Sequence, residues 1–454
     1  MHIHILGICG TFMGGIAALA KAAGHQVTGC DDNTYPPMSN QLKSLGIDIT
    51  HGYDPSQIDK VPDCIIVGNA MSRGNPVVES MLDSNIPYCS GPQWLAENVL
   101  RDRHVIAIAG THGKTTVSSI LTWILEDAGL DPGFLIGGIP VNFGQSARLG
   151  TSKYFIIEAD EYDTAFFDKR AKFVHYGPQT LVLNNLEFDH ADIYADLDAI
   201  VWQFHQLLRT IPGNGRVIIN SDDVNLPKVI EQGCWTPVEK FSVREEADWT
   251  GKLVDDRGAR ISISSENSET GECGWRMSGI HNLENALAAV AASSSAGVSL
   301  AGAMDSISRF DGVKRRMERT ATIKDIAIYD DFAHHPTAIK LSIDGFKQRS
   351  PSNRIIVALE PRSNTMKKGI HKDLLAGSLK NADLVFIYRP KDVDESFDLC
   401  FTELGDRVQI NNDYDELVKN MRNKLLQGDR VIFMSNGSFG ASRQKLTMAL
   451  QGRR

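Results

Sequence analysis

Short apolar runs alternate along the chain with alanine- and leucine-rich stretches of helical period, and glycine-bearing turns separate the two. In the first hundred residues Ile3–Leu6, Gln26–Gly29 and Cys64–Val67 predict strands, with a helix over Gly15–Ala23 between the first two. Strands that alternate with helices in this way imply a parallel sheet covered on both faces. A second unit opens at His104-Val105-Ile106-Ala107-Ile108-Ala109, the kind of unbroken run expected of a strand buried on both faces. It leads straight into Gly110-Thr111-His112-Gly113-Lys114-Thr115-Thr116 and an apolar-periodic helix ending near Leu125. Tyr154–Ile157, Thr180–Leu183 and Arg216–Ile219 predict further strands, Asp248–Arg276 a small antiparallel excursion, and Leu283–Ala296 a helix. A third unit begins near Asp311-Gly312, with strands over Ile326–Tyr329, Arg354–Leu359, Asp383–Tyr388 and Arg430–Met434. The chain thus divides into three α/β units in series, 1–101, 102–311 and 312–454, without internal repeats or low-complexity segments.

Composition removes several classes of function. The 454 residues carry 47 Lys and Arg against 56 Asp and Glu, a net charge of −9. A net acidic surface repels phosphate backbones and argues against nucleic acid as a partner. No apolar run approaches the roughly 20 residues of a membrane span, and the start, Met1-His2-Ile3-His4-Ile5-Leu6-Gly7, lacks the marks of a signal peptide. The seven cysteines are odd in number, dispersed and free of C-x-x-C pairs. They suggest neither a disulfide framework nor a zinc site, and fit a reduced, cytoplasmic compartment.

The strongest chemical signal is Gly110 to Thr116. A glycine turn between a buried strand and a helix exposes backbone N–H groups at a helix N-terminus, where they and the helix dipole favour phosphate oxygens. Lys114 would neutralise the β- and γ-phosphates, and the Thr115 hydroxyl would bind Mg2+. The strict phosphate-loop pattern needs glycine five positions before Gly113, where Ile108 stands, so this loop is a shortened version. Glu158-Ala159-Asp160-Glu161-Tyr162-Asp163 follows a predicted strand, placing carboxylates where α/β ligands bind. Glu158, nearest the strand end, is the candidate for Mg2+. Asn184-Asn185-Leu186-Glu187-Phe188-Asp189-His190 follows another, and His190 is placed to ligate a second metal ion or act as a base.

Near the start, Gly7, Gly10, Gly14 and Gly15 approach a dinucleotide fingerprint, but Cys9 takes the place of its second glycine. Asp31 and Asp32 follow the next strand, where an acid can hold hydroxyls. Without that glycine the turn argues against a nicotinamide cofactor and leaves another nucleotide diphosphate open. In the third unit, Asp330-Asp331-Phe332-Ala333-His334-His335-Pro336 and Glu360-Pro361-Arg362-Ser363-Asn364-Thr365 each follow a strand. Both also suit a capped helix start, and Arg362 can clamp a carboxylate with two hydrogen bonds. Arg315-Arg316 lies at the hinge, where an arginine either reaches a transferring phosphoryl group or is simply solvated.

In this order the motifs resemble the Mur ligase family, ATP-dependent enzymes that join amino acids or peptides to a UDP-linked muramic acid. The resemblance spans the chain and includes Gly110 to Thr116, Glu158 to Glu161, Asp189-His190, Gly279-Ile280-His281-Asn282-Leu283-Glu284-Asn285-Ala286, Arg315-Arg316 and Asp330 to Pro336. It implies a Rossmann-like first domain for the UDP-sugar, a central ATP-binding domain of phosphate-loop type with a mostly parallel sheet, and a Rossmann-like third domain. Ala165-Phe166-Phe167-Asp168-Lys169-Arg170, Leu359 to Lys367 and Met434 to Gly440 resemble one branch of the family in particular. That branch attaches the tripeptide L-alanyl-γ-D-glutamyl-meso-diaminopimelate to UDP-N-acetylmuramate in peptidoglycan recycling. The alternative within the family is addition of free L-alanine to the same acceptor.

The resemblance also implies roles. Lys114, Glu158 and His190 would be catalytic, with Thr115, Glu158 and His190 as metal ligands. ATP would meet Gly110, Thr111, His112, Gly113, Lys114, Thr115, Thr116, His281, Asn282, Asn285, Arg316 and Asp331. The UDP-sugar would meet Gly10, Thr11, Phe12, Met13, Gly14, Gly15 and Asp31 or Asp32, and the peptide Arg362 and Asn364. Several family members carry a carbamylated, metal-binding lysine about fifteen residues after the histidine matching His190; here His205 stands at that spacing. Outside the family, a NAD(P)-dependent dehydrogenase and a nucleotide-gated binding protein without chemistry remain as readings of the same residues.

Overall fold

The apolar runs become the inner strands of three sheets. The structure, a computed structural model, describes residues 1–34, 38–191 and 193–452. The first sheet holds β1 (His2–Leu6), β2 (Gln26–Asp31), β3 (Asp48–His51), β4 (Cys64–Val67) and β5 (Tyr88–Ser90). All are parallel, in the order β3-β2-β1-β4-β5. The order reverses beside β1, so the turn after it opens into the crevice where such sheets bind ligands.

The central sheet has ten strands: β6 (His104–Ala109), β7 (Gly133–Leu135), β8 (Ala147–Arg148), β9 (Tyr154–Glu158), β12 (Thr180–Leu183), β13 (Arg216–Asn220), β14 (Val238–Ser242), β15 (Trp249–Leu253), β16 (Arg260–Ser265) and β17 (Thr270–Gly274). A separate hairpin, β10 (Asp163–Ala165) and β11 (Asp168–Ala171), stands off it. The order is β17-β16-β15-β14-β13-β12-β6-β9-β7-β8, parallel except at the two ends. The antiparallel end β15–β17 is the expected excursion. Residues 105–109 of β6 are at most 1% exposed, because neighbours on both sides and layers on both faces cover them. The third sheet comprises β18 (Glu318–Ile323), β19 (Ile326–Asp331), β20 (Ile355–Leu359), β21 (Leu384–Tyr388), β22 (Val408–Asn411) and β23 (Arg430–Met434). Its order is β18-β19-β23-β20-β21-β22, with only β18 antiparallel.

In four strands the ladder runs past the predicted apolar run and takes in the polar residue that ends it. These are Asp31 in β2, Glu158 in β9, Asn220 in β13 and Asp331 in β19. Candidate site residues are thereby held on rigid strand ends rather than on loops. Helix α1 (Thr11–Ala22) starts four residues before the expected Gly15, so Gly14 and Gly15 lie inside it. They let α1 pack closely, Gly14 on Met38 and Gly15 on Leu135 of β7, which joins the first two cores into one. The other helices that matter for the site are α2 (Lys114–Asp127), α3 (Leu197–Leu208), α4 (Ile280–Ser293) and α5 (Pro336–Arg349). Among the described residues, no helix is long and apolar enough to cross a membrane.

Candidate active site

The loop between β6 and α2 is held from below by the segment that follows β12. Asn185 accepts from Thr111 N through its carbonyl at 3.1 Å and from His112 N through its side chain at 2.7 Å. Asn184 and Asn185 both donate to the His112 carbonyl, at 3.1 and 3.0 Å, and the Thr111 hydroxyl bonds the backbone of Glu187 in both directions. Gly113, the residue before α2, has φ +81°, a left-handed conformation that suits glycine. A Cβ there would also lie 2.2 Å from Asn285 Oδ1 of α4. Thus the fold fixes this loop before any ligand arrives.

Lys114 turns back over the loop. Its ammonium donates to the Gly110 carbonyl and pairs with Glu161 at 3.0 Å. The other Glu161 oxygen meets His190 Nε2 at 3.0 Å. The acid is buried and the lysine largely so, with side chains 3% and 11% exposed. Burial opposes the charge of Glu161, but Lys114 and His190 outweigh it and hold the carboxyl down at about 2. Burial likewise opposes the Lys114 ammonium, and Glu161 and Glu158 more than offset it, so its pKa stays above the ordinary lysine value. His190 carries φ +56°, a left-handed backbone for a non-glycine residue, and its ring packs 4.3 Å from that of Tyr162. Strain of this kind gathers at functional sites.

Beside this chain lies a second carboxylate. Glu158 accepts from the Thr115 hydroxyl at 2.9 Å and from Gly137 N at 2.7 Å. Burial raises its pKa, and the Lys114 charge only partly opposes that. The donor set is all oxygen, a hydroxyl and one carboxylate, which suits a hard cation such as Mg2+. The third domain closes over it: an Arg316 nitrogen lies 3.4 Å from the Thr115 hydroxyl. Asp331, beside Arg316, accepts from the backbone of Met317 and Ala333. Two further ties join the domains, Thr337 to Glu187 at 2.8 Å and Thr365 to Asp189 at 3.1 Å.

The arrangement joins a glycine loop at a helix N-terminus, a lysine ammonium, a carboxylate beside a hydroxyl and an arginine from a separate domain. Family models match this chain along its length: "Mur ligase family, catalytic domain" over residues 2–103, "Mur ligase middle domain" over 108–293, and "Mur ligase, glutamate ligase domain" over 315–437. The chain belongs to the Mur ligase family. It is 50% identical to the UDP-N-acetylmuramate–L-alanyl-gamma-D-glutamyl-meso-2,6-diaminoheptandioate ligase of Escherichia coli, over 98% of this chain and 97% of that one. It is 30% identical to a UDP-N-acetylmuramate–L-alanine ligase of a Psychrobacter species, over 98% and 94%. The crystal structure of a murein peptide ligase from Psychrobacter arcticus superposes with a TM-score of 0.78 at 45% identity, over 100% of this chain and 99% of that one.

Within this Mur ligase the expected residues fall into distinct groups. Gly110 to Thr116, Glu158, His190, Asn285, Arg316 and Asp331 converge on the loop or the groups that face it. Asn282 donates to Ser278 at the head of α4, and His281 turns toward Gly279 where α5 crosses. In the first domain Gly10, Thr11 and Phe12 lie open or half-open, whereas Met13, Gly14 and Gly15 are buried in packing. Asp31 spends both carboxylate oxygens on the backbone N–H groups of Cys9 and Asn33, which braces the glycine turn, and Asp32 is exposed. Arg362 folds over Gly437, and the side chain of Asn364 lies outside the described ones.

His205 does not take the place of a metal-binding lysine near His190. It sits on α3 with its ring 6.2 Å from Trp235, which precedes β14, at the N-terminal edge of the sheet. The loop and its carboxylates are at the C-terminal edge. Glu161, which pairs with both Lys114 and His190, is not among the expected ligands. It lies three residues past the strand end, beyond any periodicity that could single it out. Asn184 and Glu187 belong to a segment flagged for His190 alone.

Proposed function

We propose that this Mur ligase joins L-alanyl-γ-D-glutamyl-meso-diaminopimelate to UDP-N-acetylmuramate, with ATP cleaved to ADP and phosphate, in the cytoplasmic recycling of peptidoglycan. The observation that carries this is the 50% identity to the Escherichia coli ligase of that name across nearly the whole of both chains. The three spans 1–101, 102–311 and 312–454 then serve the UDP-sugar, ATP and the peptide.

In this reading the muramic carboxylate attacks the γ-phosphorus, giving an acyl phosphate and ADP, and the tripeptide's alanine amine displaces phosphate. An acid must approach a polyanion, so the chain's task is to offset charge. Lys114, preformed against Gly110 and Glu161, shifts onto the β- and γ-phosphates. Bound Mg2+ would lower the repulsion between the reacting anions, held by Thr115 and Glu158, with His190 reserved for a second ion. Asn285 and Asn282 support the nucleotide from α4. Arg316 and Asp331 complete the site from the third domain, and closure excludes the water that would hydrolyse the acyl phosphate. Arg362 and Asn364 read acidic groups of the tripeptide.

The test supplies the purified protein with ATP, Mg2+ and UDP-N-acetylmuramate, then compares tripeptide with free L-alanine by phosphate release. Rapid release with tripeptide and little with L-alanine is expected. A preference for L-alanine would replace the reading with the alanine-adding activity.

A further inference from the structure

Three side chains at the seam between the second and third domains form a cluster to which the proposed ligase mechanism gives no step. His112, on the glycine loop, places Nε2 3.1 Å from Glu187 Oε2. His335, the residue before α5, approaches the same oxygen with Nδ1 at 3.4 Å. The two rings lie 4.6 Å apart, and the three ligand atoms all fall within 4.8 Å of one another. Tetrahedral zinc, with bonds of about 2.0 Å, sets its ligand atoms about 3.3 Å apart. The two measured separations bracket that value.

The contact is also one that direct hydrogen bonding serves poorly. His335 Nδ1 accepts from Thr337 N at 3.3 Å, so its lone pair, not a proton, is on that side of the ring. Glu187 Oε2 is itself an acceptor, from the Thr337 hydroxyl at 2.8 Å. Two acceptors therefore face each other at 3.4 Å across a half-buried seam. A cation between them removes that repulsion, the single Nδ1 lone pair being exchanged from its long 3.3 Å bond with the Thr337 N–H onto the metal. The other nitrogen of His335, Nε2, is buried without a hydrogen-bond partner, opposite the ring of His371 at 4.5 Å.

We infer that His112, Glu187 and His335 form a site for a divalent transition metal of the zinc class, separate from the oxygen ligands Thr115 and Glu158. Two imidazoles and one carboxylate favour such a metal over Mg2+. Two ligands come from the central domain and one from the third, so the bound ion clasps the two domains together. Occupancy is expected to stabilise the closed arrangement by mass action.

The probe is Co2+, titrated into the full-length protein in Mg2+ buffer without substrates, so the result does not depend on the ligase reading. One equivalent of the intense visible absorption of four-coordinate Co2+ is expected, displaced by Zn2+ and free of a thiolate charge-transfer band. Glu187→Gln and His335→Gln should each weaken Co2+ binding by at least about tenfold and abolish the zinc-dependent rise in Tm seen in the wild type. Glu187→Gln preserves shape and decides the matter if His335→Gln fails to fold. Absorption retained in the folded variants, or absent from the wild type, would overturn the site.

Discussion

Lys114 and Glu161 depend on each other, and so the two can be separated by experiment. Removing Lys114 from this buried ion pair leaves Glu161 with His190 alone to compensate its charge, at a cost of about 3 kcal/mol. Lys114→Ala is therefore expected to lower the urea-derived stability by about that amount, and to cut phosphate release at least about a hundredfold. Adding Glu161→Gln should restore much of the stability and none of the turnover. Recovery of turnover in the double variant would assign the catalytic charge elsewhere. Glu284 on α4 offers a second test at this scale. Burial, with Asp222 adding to it, pushes its carboxyl up to about 7. A raised carboxyl keeps its proton in the folded chain where the unfolded chain has lost it. Stability therefore falls as pH rises from the unfolded value of 4.5 to about 7. Glu284→Gln should flatten that fall and gain about 2 kcal/mol at pH 8, read from urea midpoints at pH 5 and 8. An unchanged pH slope would show that Glu284 is well solvated.

The hairpin β10–β11 links the first domain to the central one. Phe166 packs into the apolar cluster around β1 and β4, and Phe167 meets Tyr88 edge-on at 5.4 Å. At its base the Lys172 ammonium lies 5.0 Å from the Phe12 ring centre and 3.3 Å from Asp160. Phe166→Ala removes roughly half-buried apolar area worth about 2 kcal/mol. The expected outcome is a raised KM for the UDP-sugar with an unchanged Kd for ATP; a rise in both would mean that the hairpin supports the phosphate loop instead. This element also shows where sequence reading stops. β6, β12 and β23 are continuous apolar runs, because both faces of a central parallel strand are buried. β11 reads Asp168-Lys169-Arg170-Ala171 and is paired only with β10, so no apolar pattern announces it. The site divides the same way. The phosphate loop is local, set by glycines and a lysine within seven residues. Contacts such as Thr365 with Asp189, 176 residues apart, exist only once the domains close.

Among the contacts between the closed domains, one is backbone against backbone and can be blocked. Gly345, inside α5 of the third domain, lies against Gly279, the residue before α4 in the central domain. A Cβ built on Gly345 would stand 2.6 Å from Gly279 Cα and 3.0 Å from its nitrogen. Both obstructing atoms are backbone, so no side chain can swing aside to make room. Nearby, Arg349 of α5 donates to the carbonyls of Gly258 and Trp275, so the two domains are tied together along this crossing. Gly345→Ala favours α5 as a helix by roughly 1 kcal/mol, so lost activity cannot be blamed on a melted helix. The added methyl instead holds the third domain off the second. Arg316 reaches the Thr115 hydroxyl at only 3.4 Å to begin with, and a displacement of about 1 Å at a reacting centre can cost about a hundredfold in rate. The variant is expected to keep its thermal stability and most of its affinity for ATP, since most of the proposed nucleotide contacts lie in the central domain, while turnover falls at least about tenfold. Small-angle scattering should show a larger radius of gyration with substrates bound. Wild-type turnover from a folded Gly345→Ala protein would mean that the domains meet differently during catalysis, and that the Arg316 contact is not the one that completes the site.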